Sequence, residues 1–354
     1  MLDFDQTDLS PTDNVRRDIL KRLLGVGALS ALTPEFIKHA VAADTAGKTL
    51  MGPRVPDVKP TRLTDKLYVI KARDKFPTPE NLGFFTNITF LVTSKGVVVL
   101  DPSASVEIGR MAIRMIKTVT PKPVVAVINT HYHGDHWMGN QAFAEQFPGI
   151  PMYSMKESAD AIKNVLGEEW IQMALKTTNK ATRGTVITPP NSPVKDGDVL
   201  DFGDTKLNIH HFGKCHTPYD LLVEFSGTPY LHVGDVLMGH RMAGMGGDEG
   251  SFFQGMKVLD KIKSQFGDRT FIPGHGQWRN SLLAEEISLF QTLYNTSAQV
   301  IKETNDDPNG VSIALKRIKE TPFMQEYAKV TPDYENSVAK WTSIAYLEAE
   351  QNNF

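Results

Sequence analysis

Residues Thr130 to His136 read THYHGDH and set three imidazoles and a carboxylate within six positions. Such crowding has no packing benefit, because protonated histidines repel one another and neutral ones bring polar nitrogens that need partners. A metal ion resolves the conflict. Imidazole nitrogens with a carboxylate oxygen suit zinc or another borderline divalent cation at about 2.0–2.2 Å. His131 and His133 stand two residues apart, so at an extended strand end they point the same way and grip one ion. Asp135 and His136 come from the turn beyond, offset in direction, which favours a second ion beside the first.

Two ions need more ligands, and the chain offers them after strand-like runs. His216 lies in GKCHTPYD, Asp235 closes YLHVGD, and His275 sits in PGHG. Neighbouring Gly or Pro lets the backbone turn sharply at each. Cys215 has no base beside it except His216, which the metal reading already uses, so it reads as a buried thiol and not a nucleophile. His210, His211 and His232 carry no motif and read as ordinary strand residues.

The elements that must position these groups are legible in outline. Apolar, β-branched runs predict strands over 67–70, 84–92, 96–100, 122–128, 199–212, 221–225, 230–233 and 270–272. Amphipathic spacing predicts helices over 104–119, 138–147, 156–177 and 251–266. Strands and helices alternate with no internal repeat, which argues for one α/β unit. After Gly276 the pattern is helical, with Leu283, Ile287, Phe290, Tyr294 and Ile301 on one face. The breaker NDDPNG at 305–310 then opens a short helical extension, 305–354, too small to stand alone. Its aromatics Phe323, Tyr327, Tyr334, Trp341 and Tyr346 pack on the core or on a second subunit, which leaves a homodimer open.

Composition removes several classes of function. The 354 residues carry 38 Lys plus Arg against 41 Asp plus Glu, a net charge of −3 that gives no footprint for nucleic acid. One cysteine excludes a disulfide scaffold. No apolar run is long enough to span a bilayer, so stable membrane insertion is not expected. Residues 1–42 differ from the rest: Arg16 and Arg17 precede Asp18, Ile19, Leu20 and Lys21, then LLGVGALSAL and an A-x-A site at Ala40 to Ala42. This resembles a twin-arginine export signal, which implies the twin-arginine machinery as partner and a periplasmic destination. A Pro- and Gly-rich arm, 43–60, follows it.

The ordered set THYHGDH, CHTPYD, HVGD and PGHG resembles the metallo-β-lactamase fold superfamily over roughly residues 61–304, which would be the catalytic domain. The resemblance implies a four-layer αββα sandwich with the metals at one edge between two sheets. It implies His131, His133 and His216 on the first ion, Asp135, His136 and His275 on the second, and Asp235 bridging, as in hydroxyacylglutathione hydrolases and lactonases. Asp101 in VVVLDP matches the family's aspartate that supports the metal loop by hydrogen bonds without binding metal. Polynucleotide-processing and flavodiiron members carry extra domains for which this chain has no room, and the latter have a glutamate where His133 stands. One branch of zinc β-lactamases has a cysteine at the place of Asp235 and a lysine three residues later, where this chain has Met238. Cys215 and Tyr219 stand where glycines are common, which would narrow the approach to His216.

The expected activity is metal-dependent hydrolysis of a small molecule's ester, thioester, lactone or lactam bond by a hydroxide on two zinc ions per chain; iron or manganese also fit the donors. Asp135 would be both ligand and proton shuttle. The alternative on the same fold is a mononuclear iron persulfide dioxygenase. The loop from Met238 to Phe253 would cover the pocket, with Phe252 and Phe253 offering an apolar surface and His240 and Arg241 meeting an anionic group.

Overall fold

The computed structural model describes residues 50–73, 76–241, 249–304 and 307–353. Seven strands form one sheet in chain order: β1 (Thr61–Arg62), β2 (Leu67–Ile70), β3 (Ile88–Val92), β4 (Val97–Leu100), β5 (Val124–Ile128), β6 (Met152–Ser154) and β7 (Ser192–Pro193). From β1 to β4 the pairing is antiparallel, and Thr93 and Gly96 close the tight turn into β4. From β4 to β7 it is parallel, so each step needs a crossover. The first crossover is helix α1 (Val106–Val119), capped by the Ser105 hydroxyl accepting from the Ile108 amide, with Ile108, Met111, Met115 and Ile116 buried. The next contains the single turn α2 (Gly134–Trp137) and α3 (Asn140–Gln146). The last is α4 (Lys156–Ala161), a π-helical turn over Ile162–Leu166, and α5 (Gly167–Thr177).

The second sheet is built from β8 (Val199–Asp201), β9 (Lys206–His210), β10 (Leu222–Phe225), β11 (Tyr230–Gly234) and β12 (Thr270–Pro273), in the order β12-β11-β10-β9-β8. Only β11 and β12 run parallel, joined through α6 (Phe252–Phe266). The chain ends in α7 (Leu282–Thr304), α8 (Gly310–Glu320), α9 (Pro322–Val330) and α10 (Tyr334–Asn353).

Side-chain alternation sorts these elements into layers. Val98, Leu100 and Ile128 meet Leu207, Ile209, Val223 and Ile272 between the sheets. Val97, Val99 and Val127 face α1 and its neighbours, whereas Leu231, Val233 and Phe271 face α6, α7 and the C-terminal helices. Because β4 is covered on both faces, all four of its residues are apolar and buried. A bulge opposite Val97 and Val98 shifts parity in β5, so Val124 faces the helices and Ala126 faces the second sheet. The result is the four-layer αββα sandwich that the sequence led us to expect. Tyr327, Tyr334, Trp341 and Tyr346 are buried in the second helical layer, and Phe323 packs against it.

Several boundaries differ from the sequence reading. The strand expected over 84–92 begins only at Ile88, and the one expected over 199–212 is a hairpin turned at Phe202 to Thr205. The export-signal reading, 1–42, falls outside the described residues. The arm is described from Leu50 and lies on the body, with Gly52 donating to the Arg183 carbonyl and Arg114 bonded to Val55 and Asp57.

Candidate metal centre

Two parallel pairings determine where the chemistry can sit. β4 and β5 end side by side, as do β11 and β12, so the segments after them emerge at strand C-termini. Asp101 follows β4, THYHGDH follows β5, Asp235 follows β11, and the Gly274–His275 corner follows β12. Backbone bonds lock these ends together: Gly274 donates to the Gly234 carbonyl at 2.7 Å and Asn87 donates to the Gly274 carbonyl at 2.7 Å. The Asn129 amide holds α2 by donating to the His136 carbonyl at 2.7 Å. His216 arrives on the loop after β9, which Asp220 closes by accepting from the Thr217 amide and hydroxyl and which Leu221 ties to the Thr130 carbonyl.

The seven side chains singled out by the sequence converge. Donor atoms of His131, His133 and His216 lie within 4.8 Å of one another, as do those of Asp135, His136 and His275, and those of His131, His136 and Asp235. All seven are buried. Asp235 reaches toward both of the first two groups: Oδ1 is 3.4 Å from His136 Nε2, while Oδ2 is 3.1 Å from His275 Nε2 and 3.7 Å from His216 Nε2.

The donor set fits cations because its inward atoms are otherwise unmatched. Nε2 of His131, His136 and His275 and Oδ1 of Asp235 are buried without a hydrogen-bond partner among the described residues, while His133 Nδ1 and His216 Nε2 face each other at 3.0 Å. The opposite ring nitrogens are held from behind. His275 Nδ1 donates to the Phe85 carbonyl at 3.0 Å, and His136 Nδ1 meets Asp101 Oδ2 at 2.9 Å. Each such bond leaves the Nε2 lone pair pointing inward.

Asp101 anchors this backing. Its carboxylate accepts from the Thr130 amide at 2.8 Å and hydroxyl at 2.9 Å, and from His232 Nε2 at 3.0 Å, while its own backbone sits at φ +51°. His232 is therefore no ordinary strand residue: it faces inward from β11 and braces Asp101 across the two sheets, with Thr89 Oγ1 3.3 Å from its Nδ1. Thr86 was also not foreseen; its hydroxyl donates to Asp135 Oδ2 at 2.5 Å.

Charge in the pocket is strongly polarised. Burial alone would raise the pKa of Asp135 and Asp235, but His136 and His275 outweigh it and hold both well below the usual carboxylate range. Burial disfavours the charged form of His136 as well, yet Asp101, Asp235 and Asp135 keep its pKa well above normal. Burial and neighbouring imidazoles push His131 down, and His216 to about 3. Protons and divalent cations thus compete for one cavity, and filling it with cations releases protons.

A narrow apolar cleft opens beside Asp135, lined by Phe85, Met138, Trp170 and Met173 among others. Trp170 lies 4.7 Å from the His133 ring, and Gly134 admits it, since a Cβ there would meet Trp170 Cβ at 2.6 Å. This lining replaces the expected one. Phe252 is buried in the second helical layer against Phe290 and Trp341, and Phe253 packs on Tyr294, because both start α6 and are drawn to its apolar face. His240 pairs with Glu285 at 3.2 Å and meets the Tyr327 ring edge-on, which commits it to the C-terminal layer. Arg241 is buried at the site, its guanidinium 5.1 Å from the Phe76 ring centre and 5.3 Å from that of Phe85. Cys215 is fully buried, which raises its thiol pKa well above normal.

Comparison with known proteins points one way. A family profile described as the metallo-β-lactamase superfamily matches residues 82–285. Metallo-β-lactamase IND-1 of Chryseobacterium indologenes is 26% identical over 220 residues, 61% of this chain and 81% of its own. The hydroxyacylglutathione hydrolase of Gloeobacter violaceus is 25% identical over 154 residues, 44% of this chain and 47% of its own. Among solved structures, a metallo-β-lactamase from Pontibacter korlensis aligns with a TM-score of 0.53 at 19% identity, over 66% of this chain and 99% of its own. The inverting sec-alkylsulfatase Pisa1 from Pseudomonas sp. aligns with a TM-score of 0.61 at 14% identity, over 95% of this chain and 62% of its own. These structural likenesses concern fold. The profile spans more than half of the chain and encloses all seven His and Asp residues of the cluster. The chain belongs to the metallo-β-lactamase superfamily and is a metallo-hydrolase.

Proposed function

We propose that the protein is a dinuclear zinc hydrolase that cleaves an ester, thioester, lactone or lactam bond of a small molecule. One observation carries the reading: two groups of inward donors, His131/His133/His216 and Asp135/His136/His275, flank Asp235, whose carboxylate oxygens reach toward both. The first group would hold one cation, the second the other, and Asp235 would be shared. The chemistry such a pair supplies when bound is an ionised water near neutral pH and polarisation of the attacked carbonyl. Asp135 is fixed by Thr86 and lines the cleft, where it can take the water's proton and pass it to the leaving group. Phe85, Met138, Trp170 and Met173 exclude bulk water and seat an apolar portion of the substrate.

Relatives named as metallo-β-lactamases and as a hydroxyacylglutathione hydrolase support the choice of bonds. Met238 is buried in the core where one lactamase branch places a lysine, so a lactam carboxylate would need another cation here. The test is elemental analysis of the purified protein beside turnover of an ester, a thioester, a lactone and nitrocefin. Two zinc per chain, with turnover lost to a chelator and restored by zinc, is the expected result. One iron per chain with oxygen uptake on glutathione persulfide would replace this reading by the mononuclear dioxygenase. We further propose export to the periplasm, supported by Arg16, Arg17 and the apolar stretch after them; substitution of both by Lys should then retain the protein in the cytoplasm.

A further inference from the structure

Arg241 is a charged group at the site whose chemistry the hydrolytic reading leaves unused. Its side chain is 91% buried, yet Nε and Nη1 have no hydrogen-bond partner among the described residues. Other arginines of this protein meet carboxylates: Arg110 pairs with Glu107 and Glu145, Arg269 with Glu224, and Arg279 with Glu285. A guanidinium is always charged near neutral pH, and burying its donors unmatched is destabilising. Such a group is retained where a ligand completes it. The rings of Phe76 and Phe85 hold it in place without using a single N–H. Phe85 also lines the apolar cleft, as does Pro77 beside Phe76, so the guanidinium and the cleft share a wall. Asp135 and Asp235, the carboxylates that act on it electrostatically, belong to the metal-donor cluster. Once those carboxylates are committed to cations, Arg241 has no ion-pair partner among the described residues, and an anionic ligand would supply one.

We propose that Arg241 recognises an anionic oxyacid group of the substrate, so that the molecule cleaved is amphiphilic, its anion on the guanidinium and its apolar portion in the Phe85–Trp170 cleft. The proposal rests on the hydrolase reading for the fate of the ligand, but binding can be measured apart from turnover. Arg is suited to carboxylate and sulfonate alike, since its planar fork donates two parallel bonds to either.

The test uses the zinc-loaded protein and its Arg241→Met and Arg241→Lys variants, titrated calorimetrically with hexanoate, 1-hexanesulfonate and 1-hexanol. Loss of the guanidinium should weaken the anions by about 10- to 100-fold while the alcohol binds as before, and Lys should recover part of the loss. A loss confined to one anion supports the proposal and names the headgroup. In parallel, a p-nitrophenyl ester bearing a terminal carboxylate is compared with a neutral ester of equal length. The Arg241→Met variant should raise the KM ratio of charged to neutral ester by a similar factor, with kcat little changed. Equal anion affinities in the wild type and Arg241→Met would overturn the assignment. So would a fall in Tm accompanied by zinc loss, which would make Arg241 a structural residue; removing an unmatched buried charge should leave Tm unchanged or higher. Anion discrimination without turnover of either ester would sink the hydrolase reading and leave Arg241 as a binding group.

Discussion

Asp135 meets two demands at once, as a cation ligand and as the nearest carboxylate to the cleft. Asparagine keeps its size and an oxygen donor but cannot carry a proton, so Asp135→Asn should lower kcat by about 10²- to 10⁴-fold while part of the metal remains. Elemental analysis beside kcat on the best ester checks this, and undiminished turnover would remove the proton-transfer role. His232 tests the support behind the ligands. Phenylalanine fills the same space without donating to Asp101, so His232→Phe should weaken zinc by about 10- to 100-fold in chelator competition with the fold retained. Unchanged affinity would mean that Thr130 and His136 suffice to hold the carboxylate. The two cases also mark what a sequence exposes. The THYHGDH crowding is a local anomaly that any reader meets, because the cost of placing those groups together is visible without a fold. His232 lies inside an apolar run, and its value comes from a partner 131 positions away on the other sheet. The alternation of Leu231, His232 and Val233 was the only available signal, since it turns His232 to the face opposite its apolar neighbours.

At the scale of elements, the strand ends are shaped by residues that leave room for the ligands. Gly274 follows β12, and a Cβ there would lie against Asp235 Oδ1 and 2.6 Å from His136 Cε1. Its backbone needs no special φ, so the constraint is purely steric. Gly274→Ala should therefore displace Asp235 and His136 together, cost about 1–3 kcal/mol, and lower the zinc bound per chain. A full complement of zinc with unchanged Tm would show that the corner can yield. The same pull of site on backbone explains where strand reading failed. Residues 84–87 have the composition of the strand that follows, yet they leave the sheet so that Phe85 can back His275, Thr86 can hold Asp135, and Asn87 can clamp the Pro273 and Gly276 carbonyls. Periodicity reports burial, and here burial is met by the metal edge instead of a ladder. The strands Met152–Ser154 and Ser192–Pro193 escaped for another reason: two or three residues are too few to establish a period. Long elements with one buried face, such as α1, were legible to within two residues.

Over the whole molecule, the C-terminal helices do more than cover the second sheet, because they complete a dry layer around Glu286 of α7. That carboxyl is 2% exposed; one oxygen accepts from the Met238 amide at 3.3 Å, and the other has no partner among the described residues. Burial, reinforced by Glu285 and Asp235, pushes its pKa from 4.5 up to about 8. Between about pH 4.5 and 8 the folded chain binds a proton at Glu286 that the unfolded chain has released, so stability falls as pH rises through that window. The slope approaches ~1.4 kcal/mol per pH unit where the two states differ by a whole proton. Glu286→Gln keeps the acceptor for Met238 and removes the titration, so its advantage in Tm over the wild type should be small at pH 5 and grow to a few kcal/mol equivalent by pH 8. Cation binding has the opposite pH dependence, since lower pH protonates the donors and expels the metal. Taking the difference between variant and wild type at each pH, with the same zinc in both, cancels that contribution and leaves the carboxyl alone. A difference that does not change between pH 5 and 8 would mean that Glu286 ionises normally, and that the helical layer over Met238 admits water.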